Sequence, residues 1–199
     1  MNLDLLLASG SQIRADLLRA AGLSIEIESP RLDEQAIKAA LLAEEASGRD
    51  IADALAEAKA QKVSRKNPQF LVLGCDQVLE FEGRILSKPA SEEEAREHLL
   101  TLRGKTHRLL SAAVLYRESR PVWRHVSTAR LTMRPFSDDY LNRYLDRNWP
   151  DIGSSVGGYK LEKEGVRLFT TIQGDHFTIL GLPLLELLNH LAITRLIDG

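Results

Sequence analysis

LLLASGSQIRADLLRAAGL, residues 5–23, decides how the chain begins to fold. Four apolar or small residues run into Ser9-Gly10-Ser11, and helical spacing follows at once. Leu3–Leu7 reads as a buried strand. Ser11 is a plausible N-cap; Ile13, Leu17, Leu18 and Ala21 make an apolar stripe, and Gly22 ends the helix. A strand, a tight polar turn and a helix present free N–H groups and the positive end of a dipole at the turn, a common setting for an anion. Gly10 allows close approach of a ligand, and Arg14, one turn in, carries a phosphate-shaped fork. The plainer alternative is a simple N-cap with a surface arginine. The turn lacks a second glycine and a following lysine, so it is not a P-loop.

Outward from this unit, strands and helices alternate. Ser24–Glu28 reads as a short strand, and residues 32–47 and 50–64 as helices separated at Ser47-Gly48. Phe70–Cys75 reads as a central buried strand closed by Asp76, followed by a hairpin of 78–81 and 84–86 around Glu82-Gly83. Ser91 caps a helix to about Leu102, with Glu94 placed for a capping box. Residues 107–116 and 122–133 look antiparallel. A helix runs from Ser137 to about Asn148, then a Gly- and Ser-rich loop over 153–158, short strands at 166–172 and 176–179, and a last helix over 182–197 with Pro183 in its first turn. Early alternation and later antiparallel pairs imply an α/β fold on a mixed sheet.

Bulk composition narrows the function. At 199 residues the chain is long enough for one domain with a real core. A net charge of −2 gives no electrostatic reason to bind DNA or RNA, so any polyanion site must be a local basic cluster. The single cysteine, Cys75, excludes an internal disulfide framework and fits a reducing, cytoplasmic setting. Residues 3–8 are too short for a signal-peptide core, and no apolar run is long enough to span a membrane. Gly104-Lys105-Thr106 lacks the upstream glycine of a P-loop, because residue 99 is Leu. The five histidines are scattered, which disfavours zinc. Cys75 reads as a small buried filler, and Trp123 and Trp149 as packing residues.

The remaining polar residues define candidates. Asp76, at the end of an apolar run, is placed for a general base or a metal ligand, or else caps a turn. Lys88 lies in an extended segment before a proline. Lys59 lies on the rim of its helix's stripe, and Glu34 at a helix start. Each of these three has a bland reading as a surface residue.

Taken together, in order, these blocks resemble the Maf family of nucleoside triphosphate pyrophosphatases. The segments that carry the likeness are LASGSQIRADLLRAAGL at 7–23, DE at 33–34, LAEAKA at 55–60, LGCDQV at 73–78, LSKPASEEEAREHLLTLRGKTH at 86–107 and GLPLLELL at 181–188. The resemblance implies a two-lobed mixed sheet with flanking helices and a central cleft, similar to inosine triphosphate pyrophosphatases, in one domain over 1–199 and often as a homodimer. It implies hydrolysis of a nucleoside triphosphate to the monophosphate and pyrophosphate with Mg²⁺ or Mn²⁺. Asp76 matches the catalytic proton acceptor, and Glu34 would share the metal with it. Ser9, Arg14, Lys59 and Lys88 match substrate-binding positions, with Ser11 beside them in the same turn.

Two departures are visible. The family's Pro-Arg-Arg is Gln12-Ile13-Arg14 here, and its Lys-Ala-Gly-Ala-Tyr is Ser155-Val156-Gly157-Gly158-Tyr159, so an arginine and a lysine are missing. Three positions track base choice in the family: Arg, Thr and Gln in the branch acting on dTTP and UTP, and Trp, Gln and Glu in the branch acting on 7-methyl-GTP. The chain has Ile13, Gln77 and Glu162, two of the three for the second branch. The competing expectations are a dTTP/UTP enzyme, or a nucleotide-binding regulator of cell division with little turnover.

Overall fold

The computed structural model describes residues 4–198. Seven strands form one mixed sheet in the order β2-β1-β3-β5-β6-β7, with β4 paired to β3. The strands are β1 (Leu5–Ala8), β2 (Ile25–Ile27), β3 (Leu71–Phe81), β4 (Arg84–Leu86), β5 (Thr106–Arg117), β6 (Arg120–Met133) and β7 (Phe169–Gln173). β1 is parallel to both β2 and β3, and every later pairing is antiparallel. The helices are α1 (Gln12–Ala20), α2 (Glu34–Ala43), α3 (Gly48–Ser64), α4 (Glu92–Leu102), α5 (Asp138–Asn148), α6 (His176–Ile179) and α7 (Leu184–Ile193).

The long β3 belongs to two lobes. Its first half alternates between two packed faces. Leu71, Leu73 and Cys75 point to α1 and α7, while Val72 packs under α3 with Ala56 and Ala60. Its second half, Leu79 and Phe81, enters a separate core with α4, α5 and Tyr159. Asp76 and Gln77 lie where the two halves meet.

Four sequence expectations change. Phe70–Cys75 and 78–81 are one strand, so Asp76 is mid-strand and opposite Ala112 rather than at a strand end. The polar pair mimics a terminus because both residues line the cleft where the strand passes between the lobes, one on each face of the strand. Residues 176–179 form a helical turn, not a strand, because the Asp175 carboxylate caps it by accepting from the Thr178 N–H at 2.8 Å. Glu164–Leu168 is a 3₁₀ turn, and only Phe169–Gln173 is strand. The last helix covers Leu184–Ile193, with Pro183 as its N-cap rather than inside the first turn. The expected first strand begins at Leu3, which lies outside the described residues; β1 is Leu5–Ala8. The Gly- and Ser-rich loop winds into two short 3₁₀ turns, Asp151–Ser154 and Val156–Gly158.

One buried group makes stability depend on pH. His107 on β5 is 1% exposed, and its Nε2 lies 2.7 Å from the Tyr159 hydroxyl. Its Nδ1 has no partner among the described residues. Burial pushes its pKa from 6.5 down to about 4. The unfolded chain therefore takes up a proton below pH 6.5 that the folded chain refuses until about pH 4. Stability is full above pH 6.5 and is lost as pH falls towards 4. Denaturant titrations are expected to show this histidine contributing a loss of roughly 2 to 3 kcal/mol between pH 7 and 4.5. His107→Phe is expected to flatten that slope. Equal slopes in the two proteins would contradict the assignment.

Candidate active site

A cleft of about 670 Å³ opens between the lobes. It is lined by the β1–α1 turn, the start of α2, the middle of β3, the segment after β4 and the 154–162 stretch. Five basic side chains (Arg14, Lys38, Lys59, Lys88 and Lys160) line it against three carboxylates (Glu34, Asp76 and Glu162). The chain as a whole is acidic, so this is a local cationic excess of the kind that attracts a polyanion.

Asp76 is 7% exposed and Lys59 also 7%. The Lys59 ammonium donates to Asp76 Oδ1 at 2.6 Å and lies 3.1 Å from Glu34 Oε1. Lys59 is therefore a buried link between two carboxylates rather than a residue on a helix rim. Close packing of α3 on β3 makes this reach possible. A Cβ built on Gly74 would lie 2.1 Å from the Ala56 carbonyl oxygen and 2.7 Å from the Ala60 nitrogen. Gly74 and Asp76 share one face of β3, so the helix that touches Gly74 carries Lys59 to Asp76. Asp76 Oδ2 accepts no hydrogen bond among the described residues.

Arg14 is held differently from the expectation of a fork open to phosphate. Its Nε donates to the Gly181 carbonyl at 2.8 Å, and its Nη1 to Ser9 Oγ at 3.1 Å and the Cys75 carbonyl at 2.9 Å. All three acceptors are neutral, so the guanidinium is fixed while its charge stays uncancelled, and Nη2 remains free among the described residues. Ser11 adopts extended N-cap backbone angles without a side-chain cap. Its N–H instead donates to Ser9 Oγ at 3.3 Å, leaving the Ser11 hydroxyl free at the helix start. Lys88 forms no ion pair among the described residues; burial first, and then Arg14 and Lys59, lower its pKa. Cys75 is fully buried, and burial raises its thiol to about 11, which fits an inert filler.

Gln77 points to the opposite face of β3. Its Nε2 lies 3.0 Å from Ser111 Oγ, 3.0 Å from the Thr178 carbonyl and 2.9 Å from the Ile179 carbonyl. The amide is clamped with its Oε1 left to accept. Ile13 and Glu162 line the same cleft. The structure thus brings every candidate from the sequence to one cavity. Sequence reasoning missed Lys38 and Ser87, which meet there at 2.6 Å, and the Ser111 and Thr178 clamp on Gln77. The spacing of Glu34 and Lys38, four apart on one helix, was the available signal.

Two carboxylates with only oxygen donors suit a hard divalent cation such as Mg²⁺, which is ordinarily bound by one or two carboxylates and completed by water and substrate phosphates. No cluster of three acidic, His or Cys ligands occurs among the described residues. The donor set therefore fits a metal that arrives with a phosphorylated ligand.

An α/β protein with a cationic interlobe cleft and a buried Asp–Lys pair that reaches an exposed glutamate at its mouth is of a class that handles phosphorylated ligands. Residues 4–194 match the Maf-like protein family, and the chain belongs to it. It is 60% identical over 198 residues, 100% of both chains, to the nucleoside triphosphate pyrophosphatase of Ruegeria pomeroyi. It is 46% identical over 199 residues, again 100% of both, to the 7-methyl-GTP pyrophosphatase of Brucella abortus. The Mesorhizobium japonicum protein of that second name is 47% identical, with 98% of each chain covered. A solved HAM1 protein from Coxiella burnetii superposes with a TM-score of 0.44 at 16% identity, over 67% of this chain and 74% of that one.

Proposed function

We propose that the protein hydrolyses noncanonical or modified nucleoside triphosphates to the monophosphate and pyrophosphate. The observation that carries this is the buried Asp76, held at Oδ1 by Lys59 and open at Oδ2, on the floor of a cationic cleft. In this reading Asp76 Oδ2 accepts a proton from the attacking water. The new P–O bond forms at the α-phosphorus, and the α–β bridge breaks with pyrophosphate leaving. Lys59 orients Asp76. Arg14, Lys88, the Ser9 and Ser11 hydroxyls and the α1 N-terminus stabilise charge on the phosphate oxygens. Asp76 and Glu34 would hold a divalent metal, Mg²⁺ or Mn²⁺, which supplies neutralisation of phosphate charge. The same reading carries a cytoplasmic setting and a homodimer. No helix among the described residues is long and apolar enough to cross a membrane.

For the base, we favour 7-methyl-GTP over dTTP and UTP. Glu162 offers a carboxylate to the guanine N1–H and N2 amine and to a cationic methylated purine, and Gln77 Oε1 offers a second acceptor. Glu162→Gln is expected to lower kcat/KM for 7-methyl-GTP about tenfold relative to dTTP, the size of one charged hydrogen bond. Steady-state kinetics on both nucleotides check it, and an unchanged ratio would remove Glu162 from base selection. Ile13 offers no ring to stack on the base, so affinity for the base is expected to rest on these polar contacts.

A further inference from the structure

On α2, Ile37 and Leu41 rest against the core beneath α3, while Glu34 and Lys38 face the cleft. The apolar pair anchors the helix and the polar pair is its working side. Glu34 reaches Lys59, and Lys38 stands one turn further along. The Lys38 ammonium donates to Ser87 Oγ at 2.6 Å, its sole hydrogen-bond partner among the described residues. Ser87 is followed by Lys88, whose ammonium has no acid partner there either. By contrast, Lys59 is bound to two carboxylates, Lys160 is paired with Asp151 at 2.7 Å, and Arg14 is occupied by backbone and hydroxyl oxygens. Lys38 and Lys88 are thus the lysines of this cleft that have no carboxylate within ion-pair distance among the described residues, although Asp76 acts on both from further off. Burial lowers the pKa of both by more than the distant carboxylates raise it: Asp76 for Lys38, and Glu34 with Asp76 for Lys88, where Arg14 and Lys59 add to the lowering. Ser87 accepts from Lys38, so its own hydroxyl proton is free for a further acceptor. Two ammonium groups and a hydroxyl donor lining one cleft form a set that an oxyanion would complete.

We propose that Lys38, with Ser87 and with Lys88 of the same cleft, binds the phosphoryl groups beyond the scissile bond, those released as pyrophosphate. The inference rests on the proposed nucleotide hydrolysis for the identity of its ligand. Lys38 is a binding group here: it leaves Ser87 Oγ, or shares it, to meet a phosphate oxygen.

The test is calorimetric binding of inorganic pyrophosphate with Mg²⁺ to the full chain, for wild type, Lys38→Met, Lys38→Arg and Lys66→Ala. Lys66 is exposed and does not line the cleft, so its variant controls for total charge. Lys38→Met is expected to weaken pyrophosphate binding about tenfold, with nucleoside monophosphate binding within twofold of wild type. Lys38→Arg is expected to retain most of the affinity, and Lys66→Ala all of it. No side chain of α2 is buried, so the melting temperatures are expected to match. Pyrophosphate affinity within twofold in Lys38→Met, equal losses for pyrophosphate and monophosphate, or no pyrophosphate binding by wild type would each overturn the proposal. Binding needs no turnover. Release of pyrophosphate from a nucleoside triphosphate by wild type, measured separately, therefore tests the underlying reading on its own.

Discussion

Asp76→Asn is expected to lower kcat by roughly 10²–10⁴, with KM changed far less. The amide keeps the size and the mid-strand position of the carboxylate but cannot take a proton from water. Lys59 keeps its second partner, Glu34, at 3.1 Å, so its charge is not left alone in the protein. That retained pair is why the variant is expected to fold and to bind nucleotide. Turnover and affinity measured together make the distinction. A fall in kcat alone marks a base. A matching rise in KM with kcat intact would mean that Asp76 only helps to bind, and unchanged turnover would end its role in chemistry.

Gly74→Ala is expected to cost about 3 kcal/mol of stability, at the upper end for overpacking a core. The added methyl would sit 2.1 Å from one backbone oxygen and 2.7 Å from a backbone nitrogen of α3. Neither is the end of a flexible side chain, so the helix itself must move. The same movement carries Lys59 away from Asp76. A displacement near 1 Å in a positioning group can cost about 10²-fold in rate. Turnover is therefore expected to fall about a hundredfold at temperatures where the variant remains folded. Chemical denaturation and activity below the midpoint check the two effects separately. Near-wild-type stability would contradict the tight α3–β3 contact. Lost stability with full activity would show that the contact does not serve the Asp76–Lys59 pair.

These two residues also show what could be read before the fold was known. Gly74 and Asp76 stand in LGCDQV, and the motif order pointed to Asp76 directly. Periodicity alone misplaced it at a strand end, because Asp76-Gln77 interrupts an apolar run in the manner of a terminus. The strand continues since Lys59 neutralises the first residue and two main-chain carbonyls and Ser111 receive the second. Those partners come from elements up to 102 residues away in sequence, which no local pattern reports. The α6 turn at 176–179 departs from the strand expectation for a related reason: four residues are too few to separate periods of 2 and 3.6, and the Asp175 cap decides the matter. Lys59 looked like a rim lysine because helical spacing gives a direction but not the distance to the neighbouring sheet. The four-residue spacing from Glu34 puts Lys38 on the same helix face, but its meaning depends on Ser87, 49 residues away.

The most direct test incubates the purified protein with dTTP, UTP, CTP, GTP, ITP and 7-methyl-GTP, each with Mg²⁺ or Mn²⁺, beside Asp76→Asn, and quantifies every product. The account predicts equal amounts of monophosphate and pyrophosphate from at least one nucleotide, with 7-methyl-GTP preferred and almost no product in the variant. Release of inorganic phosphate and a diphosphate, or tight nucleotide binding with no product from any nucleotide, would contradict it.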